Sequence, residues 1–129
     1  MLRTILSVVA GLVAWFVLVT IADRVMRAQW PEYQAVWSAM AFTLPMMIAR
    51  LAESTVALIV ASWAAARIAP ASRLAPLAVG LVMFAVFAPY HLLYIWSKFP
   101  IWYHAYFLSS LLLIPLTVGM LTRRTASWA

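Results

Sequence analysis

The sequence predicts an all-α polytopic integral membrane protein, with four transmembrane helices and an interfacial amphipathic helix between the first and the second. Three observations carry this prediction. Hydrophobic residues fill 67% of the 129 positions and charged residues 9%, against about 45–50% and about 25% in soluble domains. Mean hydropathy is +1.00, and a soluble fold of this length could not hide so much apolar surface. The apolar residues are gathered into four runs, each close to the roughly 20 helical residues that cross a hydrocarbon core. The alternating segments of about ten residues that membrane β-barrels need are absent. The length suits one domain over residues 1–129.

The first span is read from Thr4 to Ala22, a run without a charge. Met1-Leu2-Arg3 and the Thr20-Ile21-Ala22 triplet loosely suggest a cleavable signal. The run is long for that purpose and further apolar spans follow, so it is read as a retained helix. The second span is read from Leu44 to Ala66, with Thr43 as N-cap and Pro45 in the first turn, where its missing N–H costs nothing. The third runs from Ala75 to Trp96, with Pro76 in its opening turn. The fourth runs from Ile101 to Thr122, entered by Pro100 and closed by Arg123 and Arg124. Pro89 and Pro115 each remove a backbone hydrogen bond inside a span and predict kinks.

Between the first two spans, Asp23 to Thr43 is the one sizeable loop. Met26, Trp30, Tyr33, Trp37, Met40 and Leu44 recur at helical spacing, and Pro31 with Glu32 suits the start of a helix running to about Phe42. Trp30, Tyr33 and Trp37 would rest the aromatic face of this interfacial helix on lipid headgroups, or form a lid over the bundle.

Basic residues set the expected orientation. Arg3, Arg67, Arg73, Arg123 and Arg124 fall on one side, and Arg24, Arg27 and Lys98 on the other with Asp23 and Glu32. Five positives against three place both termini in the cytoplasm of a bacterial inner membrane. The net charge of +6 is spread singly or in pairs, without the continuous basic stripe of a nucleic-acid binder. The absence of cysteine excludes disulfides, thiolate catalysis and Cys-based metal sites.

Arg50 and Glu53 are the most informative polar positions. They stand three apart on one helical face, able to pair, roughly 9 and 13 Å into the span. Glu53 therefore approaches the membrane midplane, where a carboxylate is expensive and normally faces the bundle interior. Either it exchanges a proton or a cation, or it neutralises Arg50 and fixes helix register. Ala57, Ala61 and Ala65 continue that face as a small-residue seam for close packing. His91 and His104, with Tyr90 or Tyr94, fall in the same half of the membrane and complete an intramembrane polar cluster. Metal-ligand spacing is lacking, and so are a nucleophile elbow, a phosphate loop and a dinucleotide fingerprint. No cofactor, metal or catalytic residue is assigned.

The segments Ala49-Arg50-Leu51-Ala52-Glu53, Ala64-Ala65-Ala66-Arg67-Ile68-Ala69-Pro70 and Phe99-Pro100-Ile101-Trp102-Tyr103-His104 resemble small bacterial four-helix membrane proteins, a resemblance that implies no activity. Small multidrug resistance transporters carry their essential Glu in the first helix, where this chain has none. The expected role is non-enzymatic, in assembly or binding of a membrane partner protein. The alternative is proton- or cation-linked transport by a homo-oligomer with Glu53 as carrier.

Overall fold

The computed structural model describes residues 1–72 and 74–126, with the side chains of 124–126 left out. The orientation roles expected of Arg73 and Arg124 therefore lie outside the described residues. Five α-helices follow one another: α1 (Leu2–Gln29), α2 (Pro31–Val36), α3 (Leu44–Ile68), α4 (Ala75–Leu93) and α5 (Ile101–Ala126), with a 3-10 turn at Trp96–Lys98 before α5. Four of them, all but α2, are long and apolar enough to cross a membrane. The described residues contain no strand.

Proline sets most of the boundaries. α1 runs through Asp23 and the other charges to Gln29, seven residues past the expected end at Ala22. A charge ends an apolar run but leaves the backbone hydrogen bonds intact. The helix stops where Pro31 forces Trp30 out of helical geometry (φ −128°, ψ 89°). At 28 residues, α1 is about 42 Å long, so its end outreaches a hydrocarbon core of about 30 Å. Thr43 is extended before Leu44, and Pro45 occupies the first turn of α3. Phe99 is likewise extended ahead of Pro100 and α5. Pro89 and Pro115 stand inside continuous helices.

The expected helix from Pro31 to Phe42 is cut to six residues. Its end carries a Schellman pattern: the Ala41 N–H reaches the Val36 carbonyl (3.4 Å) and the Met40 N–H the Trp37 carbonyl (3.2 Å). Met40 takes the left-handed position (φ 54°) that glycine usually holds. This reversal lets the chain double back into α3. It also turns the stripe inward at Tyr33, which is fully buried.

α3 is the central element, packed against α1, α4 and α5, while α1 also touches α4. Its Ala57, Ala61 and Ala65 are buried, and Gly11 of α1 lies so close that an added Cβ would come 3.0 Å from the Ala61 carbonyl oxygen and 2.8 Å from Val79. Gly80 of α4 meets α5 more tightly still, because a Cβ there would overlap the Leu111 carbonyl. Small residues permit these backbone approaches, the usual basis of helix association in lipid. Outside, Ile5, Val9, Phe16, Val56, Leu81, Val86, Leu113 and Met120 are exposed, while Ser7, Ser62, His91 and His104 are buried. Apolar side chains thus cover the outer surface as well as filling the core around Leu58, Val79 and Leu111.

Candidate functional site

The polar groups gather where the C-terminal end of α1 meets the start of α3 and α5. Asp23, one of the three acidic residues in the chain, is the hub. Its Oδ1 accepts from the Tyr33 hydroxyl (3.0 Å) and from the Trp37 indole N–H (3.2 Å). Its Oδ2 lies 3.0 Å from Arg27 Nε, one helical turn on, and its Oδ1 3.7 Å from Arg50 Nη1. Arg50 in turn donates from Nη1 to the Tyr33 hydroxyl (2.6 Å) and from Nε to the Tyr103 hydroxyl (3.4 Å). The Phe42 ring lies 4.7 Å from its guanidinium carbon, and the Trp37 ring 4.3 Å from that of Arg27. The Asp23 carboxylate, two phenols and the Phe42 ring thus satisfy Arg50 from α1, α2, α5 and the segment before α3. Burial pushes the Tyr33 phenol up to about 12, against the pull of Arg50 and with a further push from Asp23.

This geometry corrects the expected Arg50–Glu53 pair. No ion pair joins them among the described residues; Arg50 turns toward Asp23, Tyr33 and Tyr103 instead. Residues three apart on a helix meet only if neither finds a better partner, and α1 brings Asp23 alongside. Glu53 lies nearly one turn further along α3, with Oε2 buried and without a hydrogen-bond partner among the described residues. It borders a cavity of about 190 Å³ together with Trp15, Arg50, His91, Tyr103 and Phe107, room for a few water molecules or one small organic group. The Trp15 indole N–H is also buried without a partner. An orphan acceptor and an orphan donor therefore belong to residues lining one chamber. Buried polar atoms are nearly always satisfied, so such a pair of exceptions calls for an explanation.

His91 and His104 meet directly, Nδ1 to Nδ1 at 2.9 Å, and His104 Nε2 lies 3.2 Å from the Trp96 carbonyl oxygen. Both rings are buried. His91 stacks on Phe107 with centroids 4.5 Å apart, and His104 on Trp96 at 4.7 Å. Tyr90 lines the chamber, whereas Tyr94 is largely exposed. No group of three or more His, Asp or Glu close enough to hold a metal ion occurs among the described residues.

The residues singled out in the sequence thus converge at one end of the bundle, but with different partners. Arg50, Glu53 and His91 border one cavity, and His104 is reached through His91. Trp30 stacks on Tyr33 (5.9 Å), Tyr33 on Phe42 and Phe42 on Phe99, a ladder of rings over Arg50. Sequence reasoning missed Asp23, Tyr103 and Trp15. Only Asp23 carried a signal, as a rare acid at the end of an uncharged run. No protein-family model, curated protein or solved structure matches the chain.

Proposed function

We propose that this chain is a non-enzymatic multi-pass protein of the bacterial inner membrane, with both termini cytoplasmic, in which Glu53 takes up and releases a proton or a small cation during transport of a small molecule. One observation carries the reading. The buried Oε2 of Glu53 borders the chamber without a partner, while the arginine that could have neutralised it is held by Asp23, Tyr33 and Tyr103. A carboxylate kept at such cost inside a membrane span, and not tied up in an ion pair, is typical of exchange sites. The same observation weighs against a purely structural Glu53. It also disfavours a loop devoted to partner docking, since Tyr33 is spent on Arg50 and fully buried.

Beyond Ala57 the packing leaves little space, and Gly11, Ala61 and Val79 meet closely. Release toward the opposite side therefore calls for two or more copies, which fits a homo-oligomer. The test is proton uptake by vesicles containing purified protein and a trapped pH dye, under an imposed pH gradient with potassium and valinomycin. Wild type should acidify the lumen faster than protein-free vesicles. Glu53→Gln, folded by circular dichroism, should fall to the protein-free rate. Equal rates for wild type and Glu53→Gln would overturn the reading.

A further inference from the structure

We propose that His91 and His104 form a two-imidazole relay connecting the Glu53 chamber to the aqueous phase at the Trp96–Lys98 turn. The inference rests on the reading of Glu53 as an exchanging carboxylate and adds the route by which its proton comes and goes. With both rings neutral, the hydrogen-bond pattern sets their tautomers. The Trp96 carbonyl can only accept, so His104 Nε2 carries the hydrogen in the 3.2 Å contact. The neutral His104 ring then offers a lone pair at Nδ1, and the 2.9 Å contact requires the hydrogen on His91 Nδ1. What remains is His91 Nε2, a lone pair with no protein donor among the described residues, on a ring that borders the chamber with Glu53.

The chain of transfers balances. A proton leaves the Glu53 carboxyl for His91 Nε2 through a water in the chamber; the Nδ1 hydrogen of His91 passes to His104 Nδ1; the Nε2 hydrogen of His104 departs to a water that displaces it from the Trp96 carbonyl. Afterwards Glu53 is a carboxylate, His91 holds its hydrogen on Nε2 and His104 on Nδ1. A proton arriving from the surface retraces the steps and restores the start. No ring has to rotate, and none is free to, because Phe107 and Trp96 clamp the two imidazoles. Trp96, Ser97 and Lys98 are exposed, so the far end of the relay lies at the surface. The charged and titratable groups facing it are Arg50, Glu53, Tyr90 and Tyr103, with Lys98 on the turn at its far end. Arg50 also borders the chamber, under its Tyr33 and Phe42 cover, and a proton leaving past it would sit beside a guanidinium, which disfavours that direction relative to the imidazoles.

Two measurements test the relay on the full chain in lipid nanodiscs. Nitrogen NMR of wild type, at a pH where the infrared band shows Glu53 protonated, should find the hydrogen on Nδ1 of His91 and on Nε2 of His104; the opposite tautomers in that same state would overturn the proposal with no variant needed. Time-resolved infrared spectroscopy after a pH jump should follow the Glu53 carboxyl, assigned by its loss in Glu53→Gln. In His104→Gln, whose amide preserves hydrogen bonding but cannot relay, protonation should reach the wild-type level at least about tenfold more slowly. Added imidazole should restore the rate in His104→Ala. A Glu53 that titrates at the wild-type rate in His104→Gln would sink the relay and leave the exchange reading standing. A Glu53 that never titrates in wild type would sink both.

Discussion

Around Gly11, Ala61 and Gly80 the helices meet backbone to backbone, whereas around Arg50, His91 and Tyr103 they are held apart by rings and hydrogen bonds. The first region is made of residues with little or no side chain, so its stability comes from close van der Waals contact between backbones. The second contains four charged side chains, Asp23, Arg27, Arg50 and Glu53, and aromatic rings that cannot close around them. It keeps a chamber of about 190 Å³. The difference shows how so short a chain accommodates buried charge. One half of the bundle anchors helix positions, and the other can then hold groups that would loosen a bundle built only from them.

The largest expected effect probes the tight half. Gly80→Ala would drive a methyl into the Leu111 carbonyl and against Pro115, backbone and ring atoms that cannot swing aside. The cost should be about 3 kcal/mol or more, at the upper end for overpacking. Gly119→Ala is its control, since a Cβ there would lie 3.6 Å from Pro76, an ordinary contact. It should be neutral or stabilising by up to about 1 kcal/mol through helix propensity. Thermal unfolding in detergent measures both. A Gly80→Ala protein as stable as wild type would mean that the tight half yields as readily as the chamber half.

The next effect divides the chamber half itself. Arg50→Met leaves Asp23 and the Tyr33 and Tyr103 hydroxyls without their cationic donor, and should cost about 2–3 kcal/mol. That is less than the loss for a fully buried pair, because Arg50 retains 31% side-chain exposure. Glu53→Gln removes no ion pair and should change stability by less than about 1 kcal/mol. The reverse order in the same unfolding assay would make Glu53, not Asp23, the partner of Arg50.

The four long helices were legible because apolar runs and entry prolines are local signals: Pro45, Pro76 and Pro100 mark the starts of three of them wherever the chain folds. The level of Arg50, Glu53, His91 and His104 was also legible, because helical rise converts sequence position into depth. Their pairing was not. Arg50 to Asp23 depends on how far α1 extends before it turns, and the first charge at Asp23 looked like its end. The Nδ1 contact of His91 with His104 depends on the rotation of α4 against α5, which no local pattern encodes. The shortened α2 was hidden for a different reason. Its stop signal is a left-handed residue, and Met40 stands where glycine would have announced it.

The smallest effect asks whether α2 closes the chamber or merely lies on the membrane surface. Tyr33→Phe keeps the ring and its stacking on Trp30 and Phe42 but removes the hydroxyl between Asp23 and Arg50. Near neutral pH the loss should be about 1 kcal/mol, a typical net hydrogen-bond contribution. Alkaline pH gives the sharper reading. In the folded protein the phenol is pushed up from 10.0 to about 12, with burial as the main cause. A pKa raised by folding stabilises fully below its unfolded value and is lost as pH climbs toward the folded one. The stability advantage of wild type over Tyr33→Phe should therefore hold up to about pH 10 and shrink between pH 10 and 12. Comparing the two proteins at each pH cancels the other tyrosines, which titrate in both. An advantage unchanged up to pH 12 would mean that Tyr33 ionises equally easily folded and unfolded, as a residue resting among headgroups would. The inward closure over Arg50 would then be lost, and with it the reason for the chamber half to differ from its surface.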